Sequence, residues 1–140
     1  MWYNPLIAWL LRSPLHGFLS GSTLLLSYTG RKSGRLYRVP VNYARRGEQL
    51  LVTSQRDRNW WRNFIPEGPA TIYLQGQPAD VNAQAITDPE AVAEELGQYL
   101  AARPAWARYF DVTLDPQGQP QTADLEHAAE NRVVVRLTLR

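Results

Sequence analysis

The chain contains no cysteine, which removes disulfides, thiolate metal sites, cysteine nucleophiles and iron–sulfur clusters from consideration together. Histidine is nearly as scarce. His16 and His127 stand far apart, no H-x-x-x-H or H-x-x-E-H spacing exists for zinc, and no metal site is expected. Lysine occurs once, as Lys32, so all but one of the fifteen cations are arginine, whose planar fork matches carboxylates and phosphates. Long apolar runs are also missing. Leu6 to Leu11 falls far short of the ~20 residues that span a bilayer, and the features of a secretory signal are not found. A cytoplasmic location is the expectation.

What is present describes one ordinary folded unit. The chain of 140 residues is 44% apolar and 20% charged, a balance typical of a folded domain with its own core, and residues 1–140 are read as a single domain. Charge is unevenly distributed. Between Arg31 and Arg62 nine basic residues stand against Glu48 and Asp57, a charge of +7 within a net of +2. The remainder of the chain therefore carries −5, and this asymmetry points the first half at an anionic partner.

Periodicity and turn residues give an element order. Pro5, Leu6, Trp9 and Leu10 suggest a short amphipathic helix within residues 1–13 that caps one end of a barrel, with peripheral membrane contact as a second role for its apolar face. Strands are expected at Ser22–Thr29, Leu36–Ala44 and Gln49–Ser54, the last two joined as a hairpin through Arg45-Arg46-Gly47-Glu48. Pro40 marks a bulge or an edge. Asp57 is expected to cap a short helix ending at Phe64, with only one of Trp60 and Trp61 facing inward. Two more strands, Ala70–Leu74 and Ala79–Ile86, precede a helix that Thr87 opens by a capping box with Glu90 and that carries Val92, Leu96 and Leu100. A helix over Thr122–Ala129 and a strand over Arg132–Leu139 complete the order. The fold class is α+β, a small split β-barrel of mostly antiparallel strands with flanking helices.

Two stretches carry the parts of an anion site. The loop Thr29-Gly30-Arg31-Lys32-Ser33-Gly34-Arg35 gathers three cations and two hydroxyls, with glycines that let main-chain N–H groups approach a bound group; it is neither a Walker A loop nor a Rossmann fingerprint. The second stretch, Thr53 to Asn63, runs from a strand end rich in hydroxyls and amides into a helix start, a second expected anion contact, and Trp60 or Trp61 is suited to wall a planar ring. Taken together, T-G-R-K-S-G-R-x-x-R-V-P-V-N-Y followed by W-W-R-N resembles the deazaflavin-dependent nitroreductase family of the flavin-binding split-barrel superfamily, over Leu24 to about Gln77. The resemblance implies that Arg31, Lys32 and Ser33 meet the phosphate and acidic tail of coenzyme F420, with Arg38 a further contact. It also implies that Val39, Pro40 and Val41 border the deazaflavin ring, that Thr53, Ser54 and Gln55 reach its polar edge, and that Trp60 and Asn63 lie on the tail side. Better-known members carry a glycine-rich insert before the tryptophan helix; here that segment is the shorter S-Q-R-D-R-N-W-W.

The implied activity is hydride transfer between coenzyme F420 and a small organic acceptor such as a quinone, enone or nitro compound. The cofactor supplies that chemistry, and the protein binds and orients it, which agrees with the lack of any nucleophile–base set. Tyr109 is the proton-donor candidate for the acceptor. The alternatives are FMN in the same fold, or a non-catalytic module for a cofactor or for nucleic acid, although no nucleic acid is expected as partner. The chain is read as a monomer or homodimer.

Overall fold

Alternating apolar residues in the first half of the chain build strands that share one curled sheet, and the computed structural model describes residues 23–74 and 76–140. The helix expected within residues 1–13, and with it the membrane-contact reading, lies outside the described residues. Seven strands are present there: β1 (Thr23–Thr29), β2 (Leu36–Asn42), β3 (Ala44–Arg46), β4 (Gln49–Gln55), β5 (Gly68–Leu74), β6 (Gln77–Ile86) and β7 (Arg132–Leu139). They pair antiparallel in the order β2-β1-β5-β6-β7-β4-β3. The two edges of that sheet, β2 and β3, are consecutive in the chain and separated only by Tyr43. The same extended stretch thus borders both ends of the sheet, which must curl to let it do so, and an α+β split barrel results.

This closure corrects the expected hairpin. Leu36–Ala44 is not one strand paired with Gln49–Ser54: β2 pairs with β1 in full register, Thr23 opposite Asn42 to Thr29 opposite Leu36, while only the short β3 turns back on β4. The turn Gly47 sits at φ +61, a left-handed conformation that favours glycine. Pro40, which has no N–H to give, lies on an edge strand as its chemistry requires.

Two apolar layers follow from strand alternation. On β4, Leu50 and Val52 face the barrel interior with Leu24, Leu26, Ile72, Val81, Val133, Val135 and Leu137, while Leu51 points to the opposite face with Val134. Helices α1 (Pro89–Ala102) and α2 (Thr122–Ala129) cover that outer face with Val92, Leu96, Tyr99, Leu100 and Ala129. The buried Glu95 of α1 is held by Arg46 of β3 at 3.2 Å and by Arg136 of β7, so its charge is paired rather than stranded.

Helix starts differ from expectation in two places. Pro89 occupies the first turn of α1, where its fixed φ fits, which makes the residue before it the cap: Ala91 N donates to Asp88 Oδ2 at 3.1 Å, and Thr87 is not the cap. The tryptophan segment is a single 3-10 helix, Trp60–Phe64, preceded by Asn59 with no side-chain cap, so Asp57 caps nothing there. A second 3-10 helix, Pro104–Phe110, was not anticipated. Both Trp60 and Trp61 are buried, at 8% and 3% exposure. The short helix plugs the barrel against β6 and β7, so its two sides both meet protein.

Candidate functional site

The loop between β1 and β2 is closed by its own backbone. Gly30 N donates to the Arg35 carbonyl at 2.8 Å and Gly34 N to the Gly30 carbonyl at 2.9 Å, while Gly34 lies at φ +72. A Cβ at Gly30 would stand 2.7 Å from the Tyr37 ring, so no side chain fits. Ser33 Oγ accepts from Arg35 N at 3.2 Å and lies 3.2 Å from the Tyr37 hydroxyl. Tyr37 stacks on Tyr28, which meets Phe64 edge to face. The loop therefore stands on the barrel core.

Arg31 clamps this loop to the tryptophan turn. Its Nη1 donates to the Ile65 carbonyl at 2.8 Å and its Nη2 to the Pro66 carbonyl, while its N–H donates to Asn63 Oδ1 at 3.0 Å. Asn63 Nδ2 in turn donates to the Trp60 carbonyl at 2.8 Å. Both residues are thus occupied in positioning. The wider +7 stretch divides in the same way. Arg45 bonds the Gly47 carbonyl, Arg46 meets Glu95, and Arg56 reaches the carbonyls of Thr87 and Arg132. Lys32, Arg58 and Arg62 instead line open clefts.

Three adjoining clefts run across this face. The first, about 530 Å³, is bordered by Gly30 to Ser33, Tyr37, Asn59, Trp60, Arg62 and Asn63. The second, about 430 Å³, shares Asn59 and Trp60 with it and adds Val39, Pro40, Val41, Thr53, Ser54, Gln55 and Arg132. The third, about 350 Å³, shares Pro40, Val41, Thr53 and Arg132 with the second and opens among Tyr99, Trp106, Tyr109 and Phe110. A basic end, a middle lined by Trp60, the Val39 to Val41 segment and the charged Asp57, Arg58 and Arg132, and an aromatic mouth thus lie in sequence.

Of the residues expected at a site, all but Arg38 border these clefts. Strand alternation separates Thr53, Ser54 and Gln55. Ser54 is buried, its Oγ accepting from Trp60 Nε1 at 2.9 Å and donating to the Gln55 carbonyl at 3.0 Å, which fixes the indole as a wall. Thr53 and Gln55 belong to the other face, with their register partners Val134 and Arg132. Tyr109 is 63% exposed, and its hydroxyl accepts from Arg108 Nη2 at 3.0 Å. Tyr99, buried behind the mouth, is pushed up to about 12 by burial, opposed by its hydrogen bond with Thr53 and by Arg103 and Arg132.

Sequence reasoning missed Arg132, Trp106, Phe110 and Asn59. Arg132 reaches the clefts because β7 pairs with β4 and sets it opposite Gln55, a contact that no local motif announces. Trp106 and Phe110 come with the unanticipated 3-10 helix, for which Pro104 directly after the end of α1 was the available signal.

A split barrel whose basic cleft adjoins one walled by Trp60 and β2 has the parts for a cofactor with a charged tail and a ring. The residues fit coenzyme F420 in particular: Lys32 and Arg62, in no ion pair among the described residues, suit an anionic tail, and the Trp60 wall beside Val39 to Val41 suits a planar ring. The chain belongs to the F420H(2)-dependent quinone reductase family, which matches residues 14–116. It is an F420-dependent oxidoreductase. No curated protein matches it. Among solved structures, a conserved hypothetical protein, Rv2991 from Mycobacterium tuberculosis, is 16% identical over 100% of this chain and 82% of its own, with a TM-score of 0.54. An F420-H2 dependent reductase, FDR-A, is 16% identical over 87% of this chain and 96% of its own, also with a TM-score of 0.54. A chain described as a domain-swapped dimer matches at 16% identity over 85% and 81%, with the same TM-score. At such identities these likenesses speak for the fold. Among the described residues no helix is long and apolar enough to cross a membrane.

Proposed function

We propose that the chain transfers a hydride from reduced F420 to a small planar acceptor of the quinone, enone or nitro type, with the cofactor tail in the basic cleft, its ring in the middle cleft and the acceptor entering by the aromatic mouth. The observation that carries this reading is the sharing of Asn59 and Trp60 between the first two clefts and of Pro40, Val41, Thr53 and Arg132 between the last two. A group that fills the middle therefore touches both a charged end and an acceptor.

When bound, F420 supplies the hydride from its ring. The chain's own residues do the rest. Lys32 and Arg62, in no ion pair among the described residues, would neutralise the tail, while Arg31 and Asn63 hold the loop that presents Lys32. Trp60, fixed by Ser54, and the β2 segment Val39 to Val41 form walls for a planar ring and limit water around it. Tyr109, exposed at the mouth, would hand a proton to the acceptor and recover it from solvent. Tyr109→Phe should slow turnover at saturating reduced cofactor; unchanged turnover leaves solvent as the donor.

The first test compares oxidised F420 with FMN by equilibrium titration followed through ring fluorescence. Micromolar or tighter F420 binding that weakens in Lys32→Ala supports the reading, and preference for FMN overturns it.

A further inference from the structure

Arg132 stands where the middle cleft and the aromatic mouth meet, lining both. Its guanidinium lies over the Phe110 ring, 4.6 Å from the centroid, a stacking that holds the planar group in place. None of the ion pairs among the described residues includes Arg132. Its backbone is also pinned, with Gln55 as register partner on β4 and its carbonyl accepting from Arg56 Nη2 at 3.0 Å. A cation oriented by an aromatic face, carried on a paired strand and in no ion pair among the described residues although Asp57 borders the same cleft, is built to receive an oxygen that carries or acquires negative charge.

We infer that Arg132 is the residue that grips the acceptor's oxygen and stabilises the negative charge that develops on it. The inference rests on the proposed function and deepens it. In the step it serves, one hydride with its electron pair leaves reduced F420 and forms a C–H bond on the conjugated system. The C=O π pair moves onto oxygen, and the resulting enolate, which for a quinone becomes the hydroquinone once the new ring C–H proton shifts to oxygen, would sit against the guanidinium. The cofactor ends oxidised, having also surrendered a proton, and the acceptor oxygen takes up a proton from Tyr109 or solvent, so the acceptor gains two electrons and two protons in all. Arg132 donates hydrogen bonds throughout and is not itself deprotonated. Trp106 and Phe110 provide apolar surface beside the acceptor ring.

The test uses protein saturated with oxidised F420, with 4-nitrophenolate above its pKa as a mimic of the anionic product and 4-nitroanisole as its neutral counterpart, each measured by equilibrium dialysis. Arg132→Gln should weaken phenolate binding about tenfold or more while anisole binding changes less than about twofold. Arg132→Lys keeps the charge without the planar fork and should fall between. In turnover at saturating reduced F420, Arg132→Gln should lower kcat for an enone by about a hundredfold. Equal phenolate binding in wild type and Arg132→Gln overturns the assignment, as does a parallel loss of both probes in both variants, which would mean packing alone. Failure of wild-type protein to bind F420 is seen before either probe is added and overturns the underlying reading instead.

Discussion

The two ends of the cleft row are built by opposite means. At the basic end, nearly every contact lies within two short stretches, residues 29–37 and 59–66, tied together by Arg31 and Asn63. At the aromatic mouth the contributors are Pro40, Thr53, Tyr99, Trp106, Phe110 and Arg132, drawn from β2, β4, α1, a 3-10 helix and β7. The basic end is a local device that recognises charge, and the mouth is a tertiary one whose walls can change one at a time. An enzyme that keeps one cofactor and varies its acceptor is served by that division.

Removing the free charges should separate the ends most sharply. Lys32→Ala combined with Arg62→Ala should weaken F420 binding about a hundredfold at low salt, since charge-assisted hydrogen bonds contribute roughly 1.5–3 kcal/mol each. Raising the ionic strength should weaken the wild type toward the variant. Isothermal titration at two salt concentrations measures both effects.

Arg31→Ala should act differently although it is the next residue. Its guanidinium holds main-chain carbonyls, so the variant should lose about 1–2 kcal/mol of stability in urea while the salt dependence of F420 binding is retained. Loss of that dependence, with stability intact, would place Arg31 on the ligand instead. At the other end, Trp106→Ala should raise the acceptor KM several-fold, the scale of a lost aromatic contact, and leave F420 affinity within about twofold. An equal loss of cofactor affinity would dissolve the distinction between the two ends.

The smallest effect is on alkaline stability. Tyr28, Tyr43 and Tyr99 all have raised pKa values, chiefly through burial. Tyr99 moves from 10.0 to about 12, so the stabilisation it contributes is complete below pH 10 and is lost as pH rises toward 12. With one lysine and no cysteine in the chain, tyrosine ionisation dominates this range. Ultraviolet titration should show a set of phenols that ionise only above the ordinary range, together with loss of structure.

The same contrast explains what was legible in the sequence. Strand positions were readable because apolar alternation and glycine turns are local signals, and Arg132–Leu139 was bounded as found. The basic loop was readable as one closed turn because its glycines, cations and hydroxyls are contiguous, and its service as an anion cradle belongs to the proposed function. The partition of those cations was not readable: both Arg31 and Lys32 line the cleft, and nothing local announces that the Arg31 guanidinium is spent on carbonyls. Strand pairing was misread at Leu36–Ala44 because the chain passes from one sheet edge to the other at Tyr43, a move that closes the barrel and leaves no mark in hydrophobic period. Arg132 and Trp106 escaped notice for the same reason, since only tertiary pairing brings them to the clefts. Arg38, expected among the contacts, borders none of the three clefts.

The most direct measurement is a paired fluorescence titration with F420 and with the ribityl form of the same ring that lacks the phosphate and acidic tail, in wild type and in Lys32→Ala. Tail in the basic cleft and ring in the middle one require that wild type bind F420 more tightly than the ribityl form, and that the substitution weaken F420 while leaving the ribityl form unchanged. If Lys32→Ala weakens both ligands equally, or neither, the tail does not lie where the structure places its free charges, and the proposed arrangement is wrong.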